Sequence, residues 1–176
     1  MNQTSTIAQK LPVMEMFYSI QGEGFHSGKP AIFVRLGGCD VGCHWCDVKE
    51  SWNEKDHPYL SISEIIDEIS QYPSKTIIVT GGEPLMYSLD DLTFELKQKG
   101  YQLHLETSGV YTMSGQWDWI TFSPKKFKKA DQSIFAVASE LKAIVVNKSD
   151  FKFAESFVNS LNDDCIQYLQ PEWSKS

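Results

Sequence analysis

The sequence predicts a parallel α/β fold, an incomplete TIM-like barrel of about six β/α units, and three observations carry that prediction. Short Ile/Val-rich runs alternate with amphipathic helical segments, the pattern of a parallel sheet covered by helices. Glycine-bearing or polar loops follow the runs, as at the ligand-binding rim of parallel folds. The chain has 176 residues, whereas a closed eight-unit barrel takes about 250. A doubly wound open sheet is the alternative architecture.

Residues 31–36 (AIFVRL) read as a buried strand, and residues 76–80 (TIIVT) read the same way because β-branched aliphatics stand between turn signals. Between them Ser61 and Glu64 form a capping-box pattern. Ile62, Ile65, Ile66 and Ile69 then share one helical face before Tyr72-Pro73 ends the segment. A second helix is expected over residues 89–99, stopped by Gly100 and followed by a strand at 101–106. Strands at 117–122, 140–146 and 165–169 bring the total to six, with a helix over 150–160 before the last.

No internal repeat, low-complexity tract or linker divides the chain, so residues 1–176 read as a single domain. With 41% hydrophobic and 12% aromatic residues it can bury a core without staples, which excludes wholesale disorder. Sixteen Lys and Arg against 23 Asp and Glu give a net charge of -7. Such a chain lacks the field of a protein that grips phosphates, so no direct nucleic-acid binding is expected, and Lys126, Lys128 and Lys129 read as a solvated face. The polar first ten residues and the absence of a long apolar run predict no secretory leader, no membrane span and a cytoplasmic location.

The loops after the strands carry the chemistry. Gly37-Gly38-Cys39 follows the first, Thr80-Gly81-Gly82-Glu83-Pro84 the second and Glu106-Thr107-Ser108-Gly109 the third. Ser123-Pro124-Lys125 follows the fourth and Gln170-Pro171-Glu172-Trp173 the last. Parallel strands bring these ends to one mouth. Cys39, Cys43 and Cys46, spaced C-x3-C-x2-C, read as metal ligands in a reducing compartment, while Cys165 reads as a small buried hydrophobe. A structural zinc site needs a fourth ligand, for which His44 or Asp47 is at hand. Three thiolates on a cluster of four irons leave one iron open, a catalytic arrangement.

Cys39-x3-Cys43-His44-Trp45-Cys46 resembles the signature of the radical S-adenosylmethionine (SAM) superfamily, and Gly81-Gly82-Glu83-Pro84 resembles its GGEP motif. Membership implies a 4Fe-4S cluster on Cys39, Cys43 and Cys46 whose open iron chelates SAM. It also implies a backbone at GGEP that holds the methionyl amino group, with Glu83 able to accept from an ammonium. The run from Tyr18 to Gly24, Glu106 to Gly109, Ser123 to Lys125 and Tyr168 to Pro171 resemble the 7-carboxy-7-deazaguanine synthases, over most of the chain. That family converts 6-carboxy-5,6,7,8-tetrahydropterin to 7-carboxy-7-deazaguanine with loss of ammonia, toward the tRNA nucleosides queuosine and archaeosine.

Carried over residue by residue, the resemblance implies that Ile20, Gln21, Gly22 and Glu23 contact the pterin. Arg35 would pair with its carboxylate, and Thr80 would bond substrate beside the radical site. SAM would lie against Trp45, Cys46, Asp47, Gly82, Glu83, Ser123, Pro124, Lys125, Gln170, Pro171, Glu172 and Trp173. Implied partners are a flavodoxin or ferredoxin electron donor and a second copy in a homodimer. Val48 stands where the family has a Thr or Ser that helps bind Mg2+, so a magnesium ion here would rest on substrate oxygens and water. Family members usually continue past the Gln-Pro loop, so a shortened C-terminal tail is expected. Two alternatives accompany this reading, a glycyl-radical-enzyme activase of the same superfamily and a non-catalytic zinc or iron-sulfur module.

Overall fold

The structure is a computed structural model that describes residues 9–172. Its strands are β1 (Lys10–Ile20), β2 (Pro30–Leu36), β3 (Tyr59–Ser61), β4 (Thr76–Gly81), β5 (Gln102–Thr107), β6 (Trp119–Phe122), β7 (Glu140–Val145) and β8 (Ile166–Pro171). Its α-helices are α1 (Ile62–Ile69), α2 (Asp90–Gln98) and α3 (Ser149–Glu155). One sheet runs in the order β3-β1-β2-β4-β5-β6-β7-β8. From β2 onward every neighbouring pair is parallel.

Strands are therefore added in chain order on one side, without the reversal that defines a doubly wound sheet. This is the incomplete barrel, and all six strands expected from the sequence form it. Its crossovers are less helical than six full units require. β5 to β6 is a loop, and β6 to β7 holds only a 3-10 turn at Gln132–Ile134. The helix expected over 150–160 ends at Glu155 and passes into turns.

Two strands escape the sequence reading. β1 pairs antiparallel with β2, Glu15 opposite Arg35 and Phe17 opposite Phe33, and β3 pairs antiparallel with the start of β1. β1 mixes Pro12, Glu15 and Ser19 among its apolar residues, which hides the alternation that marks a half-buried strand.

α1 forms for the reasons its sequence gives. Ser61 accepts from the Glu64 amide while the Glu64 carboxylate accepts from Ser61, a capping box worth about 1 kcal/mol. Ile65, Ile66 and Ile69 are buried, each contributing roughly 1.5–3 kcal/mol. They pack with Leu92 and Leu96 of α2 against Ile32, Val34, Ile77 and Leu103 of the sheet.

The β1–β2 hairpin closes the N-terminal end of the barrel. Gly24 (φ 67°) and Gly28 (φ 86°) make its turns. A Cβ on Gly24 would lie 2.1 Å from Glu140 Oε1. Phe25 stacks on Trp119 with ring centroids 5.1 Å apart, and its amide donates to Glu140 Oε2 at 3.0 Å. His26 sits 4.5 Å from the His104 ring. Burial and the neighbouring His26 hold the His104 imidazole down to about 4.

Candidate active site

Side chains alternate along a strand, and that alternation builds the site. Ile32, Val34 and Leu36 of β2 join the core, while Phe33 and Arg35 face a cavity of about 470 Å³. Leu103 and Leu105 of β5 and Leu141 of β7 are core, while Thr80, Glu106, Lys142 and Gln170 face the cavity. The loops at the strand ends complete its wall.

The cysteine loop is pinned by backbone bonds. Gly38 N donates to Ser51 O at 2.6 Å, Cys39 N to Trp52 O at 3.0 Å and Cys46 N to Cys43 O at 3.0 Å. Cys39, Cys43 and Cys46 are free thiols that all line the cavity. Burial pushes the Cys39 and Cys43 thiols up; the charges of Glu83 and Cys46 raise Cys39 further, Lys125 draws Cys43 back down, and Cys39 and Cys46 raise it again. Lys125 Nζ donates to the carbonyl and the hydroxyl of Ser123, both at 2.8 Å, and burial lowers its pKa.

The second glycine loop packs directly on this one. A Cβ on Gly82 would lie 2.1 Å from Gly38 O and 2.9 Å from Cys39 Cβ, and one on Gly81 (φ 134°) 2.2 Å from Leu36 O. Gly82 N donates to Leu36 O and Glu83 N to Gly38 O, both at 2.9 Å. The glycines thus allow one loop to lie against another, a use the sequence reading assigned to a ligand. Glu83 is redirected as well. Its carboxylate, expected to accept from an ammonium, accepts instead from Leu85 N at 3.1 Å, Thr107 Oγ1 at 2.5 Å, Ser108 N at 2.8 Å and Ser108 Oγ. Four donors fill a carboxylate's capacity, so this side chain ties the GGEP loop to the loop after β5.

Arg35, expected to pair with a substrate carboxylate, already has one partner within the sheet. Its Nε donates to Glu15 Oε1 at 2.7 Å across the β1–β2 pair. No other partner of its guanidinium is found among the described residues, so its remaining donors are available to a ligand in the cavity it lines.

The cavity wall also carries Ile20, Gln21, Gly22, Glu23, Trp45, Asp47, Ser123, Pro171 and Glu172. Pro124 is buried and is not among the residues that line the cavity, and Trp173 lies outside the described residues. The sequence reading missed Lys142, whose Nζ donates to Glu23 Oε2 and Glu106 Oε2, each at 2.7 Å. The signal was present: like Arg35, it is a cation inside an apolar strand.

The donor set tests which metal centre fits. Ligands to one zinc ion, at about 2.3 Å from it, crowd within about 4 Å of one another. Among the described residues no three His, Cys, Asp or Glu side chains are grouped to hold a single ion. The three thiols instead share the wall of a cavity large enough for a cluster and ligand. His44, the other zinc candidate, is exposed with its ring against Trp45.

The sequence profile of the radical SAM superfamily matches residues 33–137. A 7-carboxy-7-deazaguanine synthase of Flavobacterium psychrophilum is 52% identical over 167 residues, 95% of this chain and 79% of the relative. Its counterpart in Synechocystis sp. is 45% identical over 92% of this chain and 78% of its own length. The crystal structure of QueE from Escherichia coli superposes with a TM-score of 0.88 at 30% identity, over 95% of this chain and 85% of that one. The chain belongs to the 7-carboxy-7-deazaguanine synthase family. As a radical SAM enzyme of that family it employs a 4Fe-4S cluster and SAM. Membership excludes the stand-alone zinc module and, with a cavity floored by polar side chains, turns the choice away from a protein-docking activase. Among the described residues no helix is long and apolar enough to cross a membrane.

Proposed function

We propose that this chain catalyses the ring contraction of 6-carboxy-5,6,7,8-tetrahydropterin to 7-carboxy-7-deazaguanine with loss of ammonia, in the biosynthesis of the 7-deazapurines queuosine and archaeosine. The observation that supports it best is one cavity lined both by the three thiols and by Arg35, with donors to spare, Gln21 and Glu23.

Cys39, Cys43 and Cys46 would hold the cluster, which with SAM supplies a 5'-deoxyadenosyl radical able to take hydrogen from substrate. Trp45, Asp47, Gly82, the loop at Ser123 to Lys125 and the loop at Gln170 to Glu172 would flank SAM. Arg35 offers a planar fork to the substrate carboxylate. The amide of Gln21 and the carboxylate of Glu23 match the amide and amine edge of a pterin, and the Thr80 hydroxyl stands one strand from Arg35, its register partner. The hairpin packs against the starts of β6 and β7, Phe25 stacking on Trp119 and bonding Glu140, and shielding of this kind helps to protect a radical from quenching. Mg2+, on this reading, rests on substrate oxygens and water, because Val48 brings only carbon to the wall. The flavodoxin- or ferredoxin-type donor and the homodimer rest on family resemblance, and light scattering tests the latter.

The test is anaerobic reconstitution with iron and sulfide, then incubation with dithionite, SAM and 6-carboxytetrahydropterin, with products read by mass spectrometry. 7-Carboxy-7-deazaguanine is expected. Deoxyadenosine without deazapurine would overturn the substrate, and no SAM cleavage would overturn the reading altogether.

A further inference from the structure

The cavity floor holds a lysine that neither the cysteine loop nor the glycine loops require. Lys142 lies mid-strand in β7, its side chain 8% exposed, and its ammonium binds Glu23 of the hairpin and Glu106 of β5. Gln21 Nε2 donates to Glu106 Oε1 at 3.1 Å, and Gln170 Nε2 donates to Glu23 Oε1 at 2.6 Å. Each carboxylate is thereby fixed by one donor on each oxygen, and each keeps acceptor capacity unused. All five side chains line the cavity, so that capacity faces ligand space.

A triad centred on a buried lysine, with Glu23 itself half exposed, is a poor source of stability, and a buried ionic centre is often replaceable by apolar side chains. Its place on a ligand-facing floor needs another account. Two carboxylates on one ammonium repel each other once the cation is removed, and one then takes up a proton. A neutral carboxyl presents a hydroxyl donor where an acceptor stood. The other titratable or charged groups around the pair are Lys125, on the loop after β6, Glu140, at the start of β7, Arg35 on the same cavity wall, and the His26 and His104 imidazoles, which line a small gap with Glu23 and Glu106. Lys142 and Gln170, with Lys125 further off, hold the Glu23 carboxyl below the ordinary carboxylate range against its burial. Glu140 is pushed up by burial and by Glu106.

We propose that Lys142 is a positioning residue that holds the Glu23 and Glu106 carboxylates side by side, as acceptors for the paired N–H groups of a heteroaromatic ligand such as the 2-amino and ring N–H edge of a pterin. The inference rests on the function proposed above and deepens it.

The test is calorimetric binding of 6-carboxytetrahydropterin to the anaerobic reconstituted enzyme with SAM but no reductant, from pH 6.5 to 9. Dividing each variant's affinity by that of the wild type at the same pH cancels the titration of the ligand. Lys142→Met is expected to bind roughly 10- to 100-fold more weakly at pH 7, the loss of a charge-assisted bond, and to recover as pH rises. Lys142→Arg, which keeps the charge, is expected to hold a flat ratio, and iron content and SAM affinity are expected to stay unchanged in both. A Lys142→Met ratio near one, or one equally low at every pH, would overturn the inference alone. Absence of pterin binding by the wild type would overturn it together with the proposed function. Where Lys142→Met does not fold, Lys142→Met with Glu106→Gln leaves one carboxylate and no like-charged pair. Weak, pH-independent binding is then expected, and wild-type affinity overturns the inference.

Discussion

Replacing Gly82 with alanine should unseat the cluster site while leaving the barrel folded. The new methyl carbon would stand 2.1 Å from Gly38 O and 2.9 Å from Cys39 Cβ, so the two loops must separate by about 1 Å to relieve the overlap. Such a shift stretches the bonds from Gly82 N to Leu36 O and from Glu83 N to Gly38 O, both 2.9 Å, past useful hydrogen-bond length. Overpacking of this kind costs about 1–3 kcal/mol and each weakened bond about 0.5–1.5 kcal/mol. A total of about 2–6 kcal/mol follows, which for a chain of this size lowers Tm by roughly 4–24 °C. Because the displaced atoms belong to Cys39 and its neighbour, iron incorporation and SAM affinity should fall further than stability does. Scanning calorimetry, iron and sulfide analysis and SAM binding measure the three quantities. Gly22→Ala is the matched control for stability, since a Cβ there meets nothing within 4 Å, and it should stay within about 0.5 kcal/mol of wild type. Wild-type iron content in Gly82→Ala would refute the claim that contact between the loops sets the position of Cys39.

Other perturbations separate the parts of the site. Arg35→Ala should cost under about 1 kcal/mol of stability, because its partner Glu15 is half exposed, and should leave iron content and uncoupled SAM cleavage intact while deazapurine formation collapses; loss of the cluster in this variant would make Arg35 structural. Glu83→Gln places an amide donor among four donors and should lower the urea-derived unfolding free energy by roughly 2–4 kcal/mol; a change under about 0.5 kcal/mol would contradict that bonding. His104 has its folded pKa depressed from 6.5 to about 4, so between those values the unfolded state binds the extra proton. Stability is then full above about pH 6.5, falls with pH and reaches its floor below about 4, a loss of up to roughly 3 kcal/mol. Denaturation midpoints from pH 4 to 7 should show the slope in wild type and a reduced slope in His104→Phe.

Local signals account for what was legible. The Ile/Val runs, the Ser61–Glu64 cap and the Gly-rich loops depend on neighbours within a few residues, and each stands where its sequence indicates. The cysteine spacing and GGEP likewise identify a cluster loop and the loop beside it. What sequence hides is pairing across distance. β1 pairs with both β2 and β3 through residues whose pattern is mixed. Glu15 becomes the partner of Arg35 only through that register. Glu83 reads as a ligand contact until Thr107 and Ser108 arrive from another strand. Lys142 reads as an interruption in an apolar strand until the hairpin brings Glu23 to it.

The bond from Gln170 to Glu23 spans 147 residues of sequence, and it bears on how the molecule is made. During synthesis the hairpin emerges first and the last strand late, so Glu23 waits for most of translation before its final partner exists. Non-local closure of this kind is slow and comes after local structure has formed. A nascent or interrupted chain then has barrel strands and cysteines but no finished floor, and competence to hold a ligand arrives with the final strand.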